Sequence, residues 1–308
     1  MLKKIILSIV SVTLCAFLAA EVGAQSSAKL VIAIQPTSTP EQLNAQAKEL
    51  ESFLEERVGT EVEVLFPTSY AGVIEALRFG HAQAAFMGSW PAVMAKQRAG
   101  AQVLLAEVRD VIIGAEKTEK PYYFSYWVVN KDSPIQSLAD LKGKRAAFPS
   151  PLSSSGYLAP LSKLVDDNLI SRAAGEADPK IYFGEVLFAG GYAQAWEALK
   201  AGQVDVSVIA GDVPEKLYRE VLENTKVIAQ QGPIPSHVVV VSKDLDPVVK
   251  ETLKNALLEL NDSSHRELMR KFVSGIFVRF EPADAAHLKS LERMLEKTGF
   301  EFKEKPAK

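Results

Sequence analysis

Lys144-Arg-Ala-Ala-Phe-Pro-Ser-Pro-Leu-Ser-Ser-Ser-Gly-Tyr-Leu-Ala-Pro160 is the stretch that decides how the rest of the chain is read. Residues 144–148 form a short buried strand by pattern. Pro149 and Pro151 then break the chain into a loop, Ser153, Ser154 and Ser155 follow, and Gly156 lets the backbone turn closely. Leu158, Leu161, Leu164 and Val165 recur at helical spacing. The element is therefore a strand, a hydroxyl-rich loop and a helix start. A helix start carries unpaired N–H groups and the positive end of a dipole. With three hydroxyls beside it, such a site suits a small oxyanion and needs no catalytic group. The plainer reading is that one serine serves as an N-cap. Pro160 has no N–H to donate, so the helix either begins late or is distorted there.

The 308 residues suffice for two compact domains with a sizeable core. An apolar fraction of 47% and a charged fraction of 24% are ordinary for a globular protein. A net charge of -3 argues against a nucleic-acid partner. Lys3 and Lys4 precede an apolar run, 5–20, that is short for a membrane span, and Val22-Gly-Ala24 offers small residues for cleavage. Residues 1–24 read as a secretory signal peptide, with Gln25 as the new N-terminus. The single cysteine, Cys15, lies inside it behind a bulky Leu14, which disfavours a lipoprotein site. The mature chain then has no disulfide, no thiol chemistry and no cysteine metal site. Gly-rich nucleotide loops and the G-x-S-x-G elbow are absent, and His81, His237, His265 and His287 are scattered. Neither a metal nor a cofactor is expected.

Residues 29–34, 61–66 and 84–87 read as strands, with helices near 40–56, 71–79 and 92–98 and further strand density near 103–108. Thr39, Pro40 and Gln42 form a capping-box pattern at the first helix. Strands at 144–148, 185–188 and 204–209 repeat the rhythm, with a helix at 193–201. Helices near 247–260 and 283–297 close the chain. This βαβα order predicts an α/β fold with mostly parallel sheets. Residues 122–130 carry the chain out of a first lobe, and the segment around Gly232-Pro-Ile-Pro235 brings it back, giving a hinge of two crossover segments. The expected lobes are 25–125 plus 236–308, and 126–235.

Tyr70-Ala-Gly-Val-Ile-Glu-Ala-Leu-Arg-Phe-Gly80 is echoed by Tyr192-Ala-Gln-Ala-Trp-Glu-Ala-Leu-Lys-Ala-Gly202 at a constant offset. The echo predicts two lobes of the same topology. In open parallel sheets ligands bind beyond the carboxyl ends of the strands. Thr37, Tyr70, Ser89, Trp90, Ser153, Ser154, Ser155, Tyr192 and Asp212 all follow expected strands, and facing lobes would bring them to one cleft.

Tyr70-Ala-Gly-Val-Ile-Glu-Ala-Leu77, Lys131-Asp-Ser-Pro-Ile-Gln-Ser-Leu-Ala-Asp-Leu-Lys-Gly-Lys144 and Ser153-Ser-Ser-Gly-Tyr-Leu-Ala-Pro160 together resemble the phosphate/phosphite/phosphonate solute-binding proteins of ABC importers. The likeness runs over about residues 29–282. It implies a two-lobe class II periplasmic-binding-protein fold, with a ligand trapped between closing lobes. It places phosphonyl oxygens on Ser153, Ser154 and Ser155, with Tyr70 beside them. Two departures stand out. Tyr192 occupies a place where the family often has histidine, and Trp90-Pro91-Ala92 stands where it often has an aromatic residue a little after Gly88. Phosphonate, phosphite, methylphosphonate and phosphate all stay open as ligands. The resemblance implies a periplasmic, monomeric, non-enzymatic protein that partners a small oxyanion and an inner-membrane permease. A sensor of the same fold and a periplasmic phosphoryl hydrolase are the competing functions.

Overall fold

The computed structural model describes residues 29–35, 40–172 and 175–300. The expected signal peptide and Thr37 lie outside the described residues. Short apolar runs form the strands, and amphipathic segments between them form the helices that cover both sheet faces. The first sheet is built by β1 (Leu30–Ile34), α1 (Pro40–Val58), β2 (Val62–Leu65), α2 (Tyr70–Arg78), β3 (Ala84–Met87), α3 (Ser89–Ala99), β4 (Gln102–Ile113) and β5 (Glu116–Lys120). The second takes β6 (Tyr122–Asn130), β7 (Arg145–Phe148), α4 (Ala159–Asp166), β8 (Glu185–Phe188), α5 (Tyr192–Lys200), β9 (Val206–Ala210), α6 (Glu215–Asn224) and β10 (Thr225–Pro235). The chain then returns through β11 (Val238–Val241), α7 (Pro247–Glu259), α8 (Arg266–Phe272), β12 (Phe277–Pro282) and α9 (Lys289–Thr298).

The first sheet runs β12-β4-β11-β3-β1-β2 with β5 on β4, and the second runs β10-β6-β9-β7-β8. β2-β1-β3 and β8-β7-β9 are the same parallel arrangement. The repeated sequence falls on α2 and α5, nine residues each, at equivalent places in the two lobes. The sheets are less parallel than the βαβα rhythm implies. Only these inner pairings are parallel, whereas β4, β6, β10, β11 and β12 pair antiparallel. The antiparallel strands are those at which the chain leaves the first sheet (β4), enters and leaves the second (β6, β10) and returns (β11), together with β12, which follows the return.

Period-two alternation splits each strand between two cores. Leu30, Ile32 and Ile34 of β1 face one cluster with Leu50 and Leu54 of α1 and Leu253 of α7. Ala33 faces the other with Val73 of α2 and Val93 of α3. In the second sheet Trp127, Phe148 and Val208 pack on Leu161 and Leu164 of α4, while Val128, Ala147 and Ile209 pack on Trp196 and Leu199 of α5. β5 and α6 went unread in the sequence because their apolar signal is weak. β5 is Glu-Lys-Thr-Glu-Lys, and α6 buries only Tyr218 and Val221.

A third link joins the lobes besides the two crossover segments. α9 packs against α3 on one side and against α4 and β10 on the other. Lys96 Nζ meets Glu292 Oε1 at 2.7 Å on the α3 side. The Phe300 ring just beyond α9 lies 6.1 Å from Trp90 and 5.4 Å from Tyr157, so aromatic packing continues from one lobe into the other.

Phe148 ends β7 immediately before the serine loop, is fully buried, and touches the Trp127, Tyr157, Phe183 and Phe188 rings. Phe148→Ala should therefore cost about 3–5 kcal/mol. Denaturant unfolding followed by tryptophan fluorescence measures it, and a cost below about 1 kcal/mol would contradict this packing.

Candidate ligand-binding site

The loop after β7 is shaped by one close contact. A Cβ on Gly156 would lie 2.1 Å from Pro149 Cγ and 2.9 Å from Ser153 Oγ, so only glycine lets Pro149 seat against the turn. From there the chain makes a π-helical turn over Ser154–Leu158 and runs directly into α4 at Ala159. Pro160, which has no N–H to donate, falls where the wide turn passes into α4. Ser153 is the N-cap, its Oγ accepting from Gly156 N at 2.9 Å. Ser154 and Ser155 begin the turn, so their N–H groups have no acceptor within it. Ser155 Oγ and Tyr192 OH are 2.7 Å apart, and Tyr123 OH donates to Ser155 Oγ at 3.3 Å.

This turn forms one wall of a cleft of about 510 Å³ between the lobes. The second lobe contributes Ser150, Ser153, Ser154, Ser155, Tyr192 and Asp212, the first contributes Gln35, Tyr70, Gly88 and Ser89, and Tyr123 comes from the start of the crossover strand β6. His237 enters from the return segment between β10 and β11. Tyr70 and Tyr192, the paired tyrosines of the sequence echo, both reach the cleft from the first positions of α2 and α5. Gln35 orders the first-lobe rim, with Oε1 accepting from Gly88 N at 2.6 Å and Nε2 lying 3.5 Å from His237 Nδ1.

The electrostatics of the lining are unusual for an anion site. Neither Lys nor Arg appears among its described residues, and Asp212 is its one carboxylate. Burial, and after it the nearby charge of Arg109, push His237 well below the usual imidazole range, so it is neutral at physiological pH. Burial pushes Tyr123 and Tyr192 up, with Asp212 adding to both, so they present neutral hydroxyls. An anion here would be held by hydroxyls, backbone N–H groups and helix starts. Among the described residues no group of three or more His, Cys, Asp or Glu is placed to hold a metal ion.

Most of the residues expected at the site meet in this cleft: Tyr70, Ser89, Ser153, Ser154, Ser155, Tyr192 and Asp212. Trp90 does not. It is 2% exposed and packs in the first-lobe core against Phe300. The helix after β3 begins at Ser89 rather than near residue 92, which turns the next side chain inward. Gln35, Tyr123, Ser150 and His237 are cleft residues that the strand-end argument did not pick out. Gln35 was available to that argument, since it directly follows β1. Tyr123 lies on a crossover strand, which the rule about strand ends does not cover.

Residues 32–288 match the family described as ABC transporter, phosphonate, periplasmic substrate-binding protein. The chain belongs to this family. A phosphonates-binding periplasmic protein of Escherichia coli is 31% identical over 207 residues, covering 65% of this chain and 56% of the relative. A phosphate-import protein of Mycolicibacterium smegmatis is 30% identical over 177 residues, covering 57% of this chain and 53% of the relative. The chain thus spans about half the length of these curated relatives. The crystal structure of a binding-protein component of an ABC phosphonate transporter from Pseudomonas aeruginosa superposes with a TM-score of 0.63 at 23% identity, over 87% of this chain and 86% of that one. That likeness establishes the class II two-lobe fold. Among the described residues no helix is long and apolar enough to cross a membrane.

His237, and His287 on the adjoining turn, are both held below the ordinary imidazole range, chiefly by burial. The unfolded chain takes up a proton near pH 6.5 that the folded protein refuses, so these groups cost no stability above that pH and erode it as the pH falls. Replacing one of them removes about 1.4 kcal/mol of acid sensitivity per pH unit. His237→Gln should therefore flatten the loss of stability between about pH 6.5 and pH 5.5. Denaturant midpoints at several pH values test it, and identical slopes for variant and wild type would refute a neutral buried His237.

Proposed function

We propose that this chain captures a small phosphorus oxyanion in the interlobe cleft and delivers it to an ABC-importer permease in the inner membrane. The observation that carries the reading is the Ser153–Ser155 turn. Its three serines line a cleft whose remaining walls come from both lobes, and Ser154 and Ser155 begin the helical turn there. Such a turn offers several donors to one oxyanion without a counter-charge. Membership of a substrate-binding transport family supports delivery to a permease. Ser155 is engaged by two tyrosine hydroxyls rather than by a base, which favours binding over hydrolysis.

The mature protein begins at Gln25 after removal of residues 1–24 and acts in the periplasm as a monomer. Its lobes are 25–125 plus 236–308, and 126–235. Ligand contacts are assigned to Tyr70, Ser89, Ser153, Ser154, Ser155, Tyr192 and Asp212, with Thr37 as a further contact. Tyr192 stands where a smaller ring is common in the family and narrows the space beside the serines. Phosphite and methylphosphonate should therefore bind better than 2-aminoethylphosphonate.

Hydrogen bonds to a charged group contribute roughly 1.5–3 kcal/mol each. Ser154→Ala and Ser155→Ala should each weaken binding of methylphosphonate or phosphite about tenfold or more, read by calorimetry. Two variants that bind like wild type would move the anion elsewhere. Stronger binding of 2-aminoethylphosphonate than of methylphosphonate would overturn the size argument and leave the serine turn standing.

A further inference from the structure

Behind the cleft wall lies a buried cluster of charges. β4 carries Glu107 and Arg109 two positions apart, hence on the same side of the strand. Arg109 is 3% exposed and Glu107 is fully buried. Arg109 Nε and Nη2 both donate to Glu107 Oε2, at 2.8 Å and 2.7 Å. The remaining arm, Nη1, donates to Asp212 Oδ2 across 3.4 Å. Glu107 Oε1 is buried with no hydrogen-bond partner. The ion pair crosses between the lobes, from a strand of the first sheet to the loop after β9 in the second. The crossing is close because residue 211 is glycine: a Cβ there would sit 2.1 Å from Ile112 O.

We propose that Arg109 is a positioning residue that sets ligand choice, holding Asp212 as an ionised acceptor so that the cleft takes oxyanions bearing a P–OH proton and rejects isosteric sulfonates. This deepens the phosphorus-oxyanion reading above and rests on it. An ionised carboxylate only accepts hydrogen bonds. Facing a ligand oxygen without a proton, it sets two acceptors and two negative charges against each other. Facing a P–OH it accepts a charge-assisted bond. Methanesulfonate matches a methylphosphonate monoanion in shape and charge but has no proton to donate.

The groups facing Asp212 are few. Arg109 and Glu107 come from β4, Tyr123 from β6 and Tyr192 from α5, while His237 faces Arg109 from the return segment. Burial pushes Asp212 upward, and Arg109 and the Tyr123 hydroxyl pull it back. Glu107 is likewise pushed up by burial. Arg109 pulls Glu107 back as well, through two short bonds, so its charge is shared between the two carboxylates. The third arm of Arg109 is the cation contact that offsets the burial of Asp212. Without Arg109, burial alone acts, and a protonated Asp212 becomes a donor that any monoanion satisfies.

Removing Arg109 alone would strand Glu107 in the core, so Glu107→Gln is the reference and Arg109→Met is made in that background. In ligand-free protein the Asp212 carboxyl, followed by carbon-13 NMR and assigned with Asp212→Asn, should titrate at least about one unit higher in the double variant. By calorimetry the reference should prefer methylphosphonate to methanesulfonate, and the preference should fall at least about tenfold in the double variant. Arg109→Lys should keep the preference, which a purely structural loss would not explain. An unchanged Asp212 titration, or an unchanged preference, overturns the proposal. Should wild type bind no phosphorus oxyanion at all, the reading of the site falls, and the Asp212 titration by itself still decides the role of Arg109.

Discussion

An anion taken from water into a cleft without cations can be held only by dipoles already pointing at it. That constraint governs the proposed site, whose described lining carries no Lys or Arg. Hydroxyl and N–H donors are worth enough only when they converge and are fixed beforehand, because each loose rotor or mobile loop spends binding free energy on ordering. Here the fixing is done by packing. Pro149 sits in the space that a Gly156 side chain would fill, Ser153 caps its own turn, and the Tyr123 and Tyr192 hydroxyls both bond Ser155 Oγ. The buried Phe148 anchors the strand from which the turn springs. Stability and recognition share these contacts.

The second requirement is that both lobes aim their strand ends at the same space. The same three-strand parallel unit, used once in each lobe, accomplishes this, since strand ends and helix starts fall on one edge of each unit. What must differ between the lobes is the connection, and the antiparallel strands supply it. β4 and β6 carry the chain across, β10 and β11 bring it back, and α9 with Phe300 adds a packed link outside the crossovers. Motion of one lobe against the other would therefore have to accommodate aromatic packing behind the serine turn as well as bending at the crossovers.

The sequence made the recurring part of this design legible and left the crossing part obscure. Short, mostly apolar runs exposed β1, β3, β7 and β9, and the matched Tyr70 and Tyr192 helices exposed the duplication, because both signals come from burial that repeats along the chain. The serines were legible because a strand, a loop and a helix start lie consecutively. Arg109 and Glu107 were not, although opposite charges two positions apart within a mostly apolar strand are a signal of buried pairing. Their partner Asp212 is distant in sequence, and only the crossing brings them together. Trp90 was misplaced for a local reason: α3 begins at Ser89, so Trp90 lies inside the helix among its buried residues and not in an open loop before it. Gln35 and His237 were missed as a pair, since each acquires meaning from the other and from Gly88.

Placing the cation behind the cleft rather than in it has a definite physical consequence. A guanidinium on the lining would attract every small anion, sulfate and chloride included, and recognition would then rest on size alone. Arg109 is screened from the ligand by Asp212 and already shared with Glu107, so little of its field reaches the cleft as net attraction. On the proposed reading its effect on a ligand passes through the protonation state of Asp212. Affinity would then come from the hydroxyl turn and discrimination from a carboxylate, two sources that different residues control. On this account general affinity for oxyanions and the choice among them are separable, the first belonging to the second lobe and the second to the contact between lobes.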